Sequence, residues 1–321
     1  MIRALTGAVV ALAMLWAGWW FVAAQAAGRG IERVVTDLRA AGWQVDYADL
    51  ATRGFPSRID TTLEALVLAD PDRRVTWEIP ALNAFALSYR PNEVIVTWPR
   101  EQAIALPGQR LVLDADGLTG SARVGVAADL PLRAVILQSD LVTLASDAGW
   151  RAGASHLLAA LHETGRETAP GSYELFAELQ ELTLPALAGG PDSAGVLRVD
   201  ATLRLDRPLA LNGPSRVEGV TLREARAAWG AASVALRGEV TADEGGFAQG
   251  SVMLELRDWP QLLAALAGSG LVAPEDIERA GDLLRLASSG DTTLNAPLVL
   301  SGGMVLLGGL VPLGQAPRLH D

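Results

Sequence analysis

Hydrophobic and polar positions follow three regimes: an unbroken apolar run at the start, a short stretch of period 3.6, and a long succession of runs alternating with period two. From Ala4 to Ala24 no residue is charged, and at about 1.5 Å of rise per residue such a helix reaches the roughly 30 Å of a bilayer core. Trp16, Trp19 and Trp20 crowd toward its far end, where indoles favour the headgroup layer. Arg3 stands on the near side, while Arg29, Glu32 and Arg33 follow, so the charge rule favours an inside amino terminus. A cleaved secretory signal is the alternative, because Ala24-Gln25-Ala26 fits a small-x-small processing site. The run is longer than the roughly 7 to 15 apolar residues of an ordinary signal, which favours a retained anchor. Leu262 to Leu271 and Leu298 to Leu307 are short and broken by Gly, and read as core.

Ile31, Val34, Val35, Leu38 and Ala41 then repeat at helical spacing, with Gly42 where a helix-ending glycine belongs. From Trp43 the period becomes two. Trp43, Val45 and Tyr47 alternate with polar neighbours, and after Arg53-Gly54-Phe55-Pro56 the residues Ile59, Thr61, Leu63, Ala65 and Val67 share one face. Short apolar runs at 75–80, 85–89, 94–98, 103–106, 111–113, 118–126 and 132–137 are bounded by Gly, Pro or Asp. That spacing predicts antiparallel strands joined by tight turns. Trp150 to Leu161 breaks the pattern, with Ala154, Leu157, Leu158 and Leu161 predicting a helix, and a polar break follows at Thr164 to Gly171.

Beyond it, 173–184, 196–205, 217–222, 232–241 and 250–257 again read as strands. Asp258 and Pro274-Glu275-Asp276 open helices to Leu266 and Leu286. Strands at 293–300 and 304–307 close the chain before a frayed tail. The fold class is therefore a β-rich α+β protein: an amino-terminal transmembrane helix followed by mainly antiparallel sheets with a few packed helices. Its expected organisation is an anchor at 1–27, β-rich regions at 28–165 and 166–313, the latter with two helices, and a tail at 314–321.

Composition narrows the chemistry. The 321 residues contain no cysteine, which excludes disulfides, thiolate metal sites and a cysteine nucleophile. The net charge is −11 and all 26 basic residues are arginine; an acidic chain with no basic run argues against nucleic acid as a partner. His156 and His162, six apart, make no ligand spacing, and the carboxylates Asp114/Asp116 and Asp243/Glu244 fall in Gly-flanked turns. No nucleophile elbow, phosphate loop or zinc-binding helix motif occurs. Thus no catalytic, cofactor-binding or metal residue is assigned, no cofactor is implied, and an enzyme reading has no residue to rest on.

Arg53-Gly-Phe-Pro-Ser-Arg58, Trp77-Glu-Ile-Pro80, Tyr89-Arg-Pro91 and the sequence around Gly250, Trp259, Gly270 and Gly302-Gly303 resemble a bacterial envelope family, domain of unknown function 2125. The resemblance carries no active site. Its singly anchored, β-rich plan is similar to AsmA-like lipid-handling proteins, an analogy of plan alone. The length of the apolar run, its tryptophan cluster and the lack of another span predict a single-pass inner-membrane protein with its bulk in the periplasm. The partners expected are the membrane bilayer and either lipid or another envelope protein, so a lipid-contacting or lipid-transfer module stands beside an assembly scaffold. Leu66, Leu68, Ile95 and Val96 supply aliphatics beyond the one face that a half-buried sheet needs.

Overall fold

A computed structural model describes residues 2–125, 127, 130–165, 170–183, 195–210, 215–269 and 274–320. These residues pack as two compact units, the first from residues 2–124 and 143–149, the second from 125–142 and 150 onward. The sequence boundary in the polar break is partly outside the described residues, at 166–169. On either side of it Thr164 and Ser172 pair across one antiparallel ladder, within the second unit.

The first unit opens with one continuous helix, α1 (Ile2–Ala40). The predicted anchor and the predicted amphipathic helix are parts of it. Their apolar stripe stays in phase, since Trp20, Ala23, Ala27, Ile31, Val35 and Leu38 follow one another at three- and four-residue steps. Gly42, with φ +90°, ends the helix. Its N–H bonds the Arg39 carbonyl and the Trp43 N–H bonds the Leu38 carbonyl, both at 3.0 Å, a Schellman arrangement with glycine at C′.

Strands β1 (Gln44–Asp46) and β2 (Asp49–Arg53) both pair with β3 (Arg58–Ala69), which pairs with β4 (Thr76–Leu87). β4 continues to β5 (Arg90–Thr97) and β6 (Glu101–Leu106); β5 meets β8 (Thr119–Val124), and β6 meets β7 (Gln109–Asp116). All are antiparallel. Val35 of α1 packs with Val45, Leu63, Leu66 and Ile79, while Trp20 and Ala23 pack with Ile59.

Alternation breaks at Ala65, where φ is +51°. Ile59, Thr61 and Leu63 are buried, and so is Leu66 rather than Ala65 or Val67. Leu66 and Leu68 therefore join the core under α1, where strict alternation would place them on the far face. Ile95 does remain exposed.

β9 (Leu132–Ser146) begins in the second unit and ends in the first. The second unit continues as a meander: β10 (Arg151–Thr164), β11 (Ser172–Thr183), β12 (Gly195–Leu205), β13 (Val217–Trp229), β14 (Ala232–Ala242), β15 (Ala248–Arg257), β16 (Leu294–Ser301), β17 (Met304–Leu307) and β18 (Val311–Gln315). Each strand from β10 pairs antiparallel with the next. The helix predicted at 150–161 is thus a strand, β10. Helices α2 (Trp259–Ser269) and α3 (Pro274–Ala287) lie between β15 and β16 in sequence. The first N–H groups of α2 close on the Asp258 carbonyl, from Gln261 and Leu262.

The expected frayed tail is tied down as far as it is described. Ala316 is buried with Ala248 and Leu300, the Leu319 N–H bonds the Gly246 carbonyl at 2.8 Å, and the Arg318 guanidinium lies 4.7 Å from the Phe247 ring centre.

Candidate functional site: an aliphatic sheet face

In an antiparallel ladder, directly paired residues present their side chains on the same face. Following the pairings of the second unit from strand to strand produces four rows. The first is Leu157, Leu179, Leu197, Ala227, Val234, Leu256 and Leu294. The second is Ala159, Ala177, Val199, Ala225, Leu236, Leu254 and Ala296. The third is Leu161, Leu175, Ala201, Leu222, Gly238, Val252, Leu298 and Leu307. The fourth is Glu163, Tyr173, Leu203, Val220, Val240, Gly250, Leu300 and Val305.

The first three rows contain no polar side chain. At the usual spacings, seven strands make this face about 29 Å wide and four rows make it about 20 Å along the strands.

The face is shaded but not sealed. Most of its side chains are half-buried, and Leu197 is 37 % exposed. Among the described residues, α2 packs against β14.

Two glycines mark the middle of the sheet. Gly238 and Gly250 adopt φ +157° and +148°, and a Cβ on either would lie 2.2 or 2.3 Å from a backbone carbonyl of the neighbouring strand, that of Ser251 or Glu239. Only a residue without Cβ lets the two backbones approach this closely.

The opposite face is ionic. Arg198 lies 3.5 Å from Glu178 and 3.9 Å from Glu224, and Arg237 lies 2.8 Å from Glu224 and 3.4 Å from Glu255. Arg223 pairs with Asp200. The Arg237 guanidinium is held above its ordinary pKa first by its hydrogen bond to Glu224 and then by the Glu255 charge. Asp200 does the same for Arg223. One face thus carries the charged pairs, and the first three rows of the other offer no hydrogen-bonding side chain.

One corner of the aliphatic face is polar. Glu163, 3 % exposed, takes an ion pair from Arg133. Tyr173, fully buried, donates to the Leu132 carbonyl at 2.8 Å and accepts from the Leu209 N–H at 2.9 Å. Burial raises the Tyr173 pKa above the usual 10.0.

The residues weighed for chemistry are dispersed. His156 and His162 lie on β10, His156 at a bulge with φ +51°. Asp114 receives two bonds from Arg100, at 3.0 and 3.2 Å, and Asp243 caps its own turn through the N–H groups of Gly245 and Phe247. Among the described residues no group of three or more His, Asp or Glu converges as metal ligands. The first unit carries an open groove of about 430 Å³ lined by Val67, Glu78, Pro80, Gln102, Arg110 and Val112 among others. Among its polar groups Glu78 pairs with Arg110, and Gln102 bonds the Trp77 indole and the Pro99 carbonyl.

Sequence reasoning assigned no site residue, and the aliphatic face has no motif by which to find it. Comparison with known families finds a model described as an uncharacterized protein conserved in bacteria (DUF2125), which matches residues 20–317. No curated protein and no solved structure matches the chain, so the AsmA-like likeness receives no support from them.

Proposed function

The chain belongs to the DUF2125 family of bacterial proteins, and from that premise we propose that it is a singly anchored envelope protein whose second unit binds lipid acyl chains on its aliphatic face. The observation that carries this reading is the set of cross-strand rows between β10 and β17, apolar over most of a sheet face and with most of their side chains only half-buried. An acyl chain requires no hydrogen bonds. Each methylene it buries is worth roughly 0.8 kcal/mol, whereas a polar partner segment laid on the same face would lose its water without replacement. The helix segment Val10–Ala40 is long and apolar enough to cross a membrane, and such an anchor keeps the face beside a lipid source. The orientation that suits the reading is an inner-membrane span with both units in the periplasm, and the role is lipid contact or passage without catalysis.

The test uses the full chain carrying a photo-crosslinking residue at Leu179 or Leu236 on the aliphatic face, or at Glu239 on the ionic face. After irradiation in cells, lipid adducts at the first two positions and none at Glu239 are expected. Protein adducts alone at Leu179 and Leu236 would replace lipid binding with the assembly-scaffold reading.

A further inference from the structure

The three indoles at the end of the apolar run do not point their N–H groups at solvent or headgroups. Trp16 donates to the Pro56 carbonyl at 2.9 Å, Trp19 to the Ser88 carbonyl at 2.8 Å and Trp20 to the Arg58 carbonyl at 2.6 Å. Two turns of the first unit, β2–β3 and β4–β5, are thereby fastened to the helix at the level of these tryptophans. Phe55 is 55 % exposed and Tyr89 is 59 % exposed at their tips, and the Phe55 ring meets the Trp20 ring edge-on at 5.4 Å.

Helix length then fixes depth. Residues 4–15 supply about 18 Å of helix, well short of the roughly 30 Å hydrocarbon core. Extending the span to Val22 gives about 28 Å. If the helix crosses, the segment holding Trp16, Trp19 and Trp20 lies inside the outer boundary of the bilayer, and so do the turns bonded to it.

Most of the carbonyls in the turns have partners within the protein, as backbone polar groups at such a position require. The Gly54 carbonyl accepts from the Arg58 N–H. The Pro56 carbonyl accepts from Trp16 and the Ser88 hydroxyl, and the Ser57 carbonyl from the Ser88 N–H and hydroxyl. Trp20 and Trp19 satisfy Arg58 and Ser88. Arg53 and Arg90 flank the two turns in sequence, and long cationic side chains extend from such depth to phosphate, while Arg58 is paired with Asp60.

We propose that the turns at 54–58 and 87–89 form a second membrane contact, embedded in the interfacial layer of a phospholipid bilayer and clasped there by Trp16, Trp19 and Trp20. The contact fixes the first unit to the membrane surface instead of leaving it to swing on a tether. It rests on the single-span part of the proposed function and is independent of acyl-chain binding by the second unit.

Because the chain has no cysteine, single substitutions give unique nitroxide sites. Phe55→Cys and Tyr89→Cys report the two turns, Leu12→Cys the anchor, and Asp72→Cys the turn at the opposite end of the β3–β4 hairpin. The full-length protein is reconstituted in phosphatidylethanolamine/phosphatidylglycerol vesicles, and the ratio of oxygen to water-soluble nickel accessibility is measured by electron paramagnetic resonance. Ratios several-fold above that of Asp72→Cys are expected at Phe55→Cys, Tyr89→Cys and Leu12→Cys. High oxygen access at Leu12→Cys with water-like ratios at both turns would overturn the second contact and leave the anchor standing. Water-like ratios at Leu12→Cys as well would remove the span and the contact together.

Discussion

Glu163 and Tyr173 stand opposite each other across the β10–β11 ladder, and they are the only ionisable residues in the four rows of the aliphatic face. Neither is left to solvent. The tyrosine hydroxyl bridges the backbones of Leu132 and Leu209, which also bond each other, N–H to carbonyl, at 2.6 Å. The aliphatic face therefore ends on a polar knot that ties the start of β9 to the chain after β12.

That knot makes stability depend on alkaline pH. Burial raises the Tyr173 pKa above 10.0, so as pH rises past 10 the unfolded chain loses the phenolic proton before the folded one does. Stability is complete below that pH and declines as pH climbs toward the raised folded value. Denaturant unfolding from pH 7 to 11 should show the decline, and Tyr173→Phe should flatten it. The same substitution should lower stability at pH 7 by about 1–3 kcal/mol, since a buried donor and a buried acceptor lose their partner.

Leu236 sits in the middle of the second row. If lipid is what covers it, Leu236→Glu should leave the lipid-free protein folded, with a cost under about 1 kcal/mol, as for a substitution that reaches water. Recovery of co-purified lipid should fall several-fold. A loss of roughly 3–5 kcal/mol would instead mean an uncompensated charge buried under protein, and the face would be ordinary core.

In the first unit the core lies under α1. Leu63, buried with Val35, Val45, Leu66 and Ile79, should cost about 2–5 kcal/mol when cut to alanine, read as a shift in the unfolding midpoint. Val112→Ala, at an exposed position, should change stability by less than about 1 kcal/mol.

The strands were legible because alternation bounded by Gly, Pro and Asp survives in a single sequence. β10 was not. Ala154, Leu157, Leu158 and Leu161 satisfy a helical period, and a strand with aliphatics on both faces produces the same string; Leu158 and Ala160 lie opposite the face carried by Leu157 and Ala159. The aliphatic face was hidden for a related reason. Leu222 and Ala225 are three residues apart yet share it, because the β13–β14 register shifts between them. No reading of period two along one strand anticipates that. The tryptophans were legible as a belt by composition, but their acceptors lie 38 to 69 residues away. Pairing them required the fold.

Gly54 is where this local and distant chemistry meet. Its φ is +103°, and a Cβ there would lie 2.8 Å from the Arg58 carbonyl oxygen, the same oxygen that accepts the Trp20 indole N–H. Alanine would therefore strain the backbone and push aside the acceptor together. A left-handed non-glycine residue costs roughly 1–3 kcal/mol, and losing the indole bond adds about 1 kcal/mol. Gly54→Ala should lower the midpoint of the first unit and shift Trp20 fluorescence, read in a variant with Trp20 as the sole tryptophan. Gly108→Ala provides the comparison: its φ is +81° but nothing lies within 4 Å of the added Cβ, so it should carry the backbone strain without the change in Trp20. Equal fluorescence in both variants would separate Gly54 from the indole clasp and reduce its role to that of a turn residue.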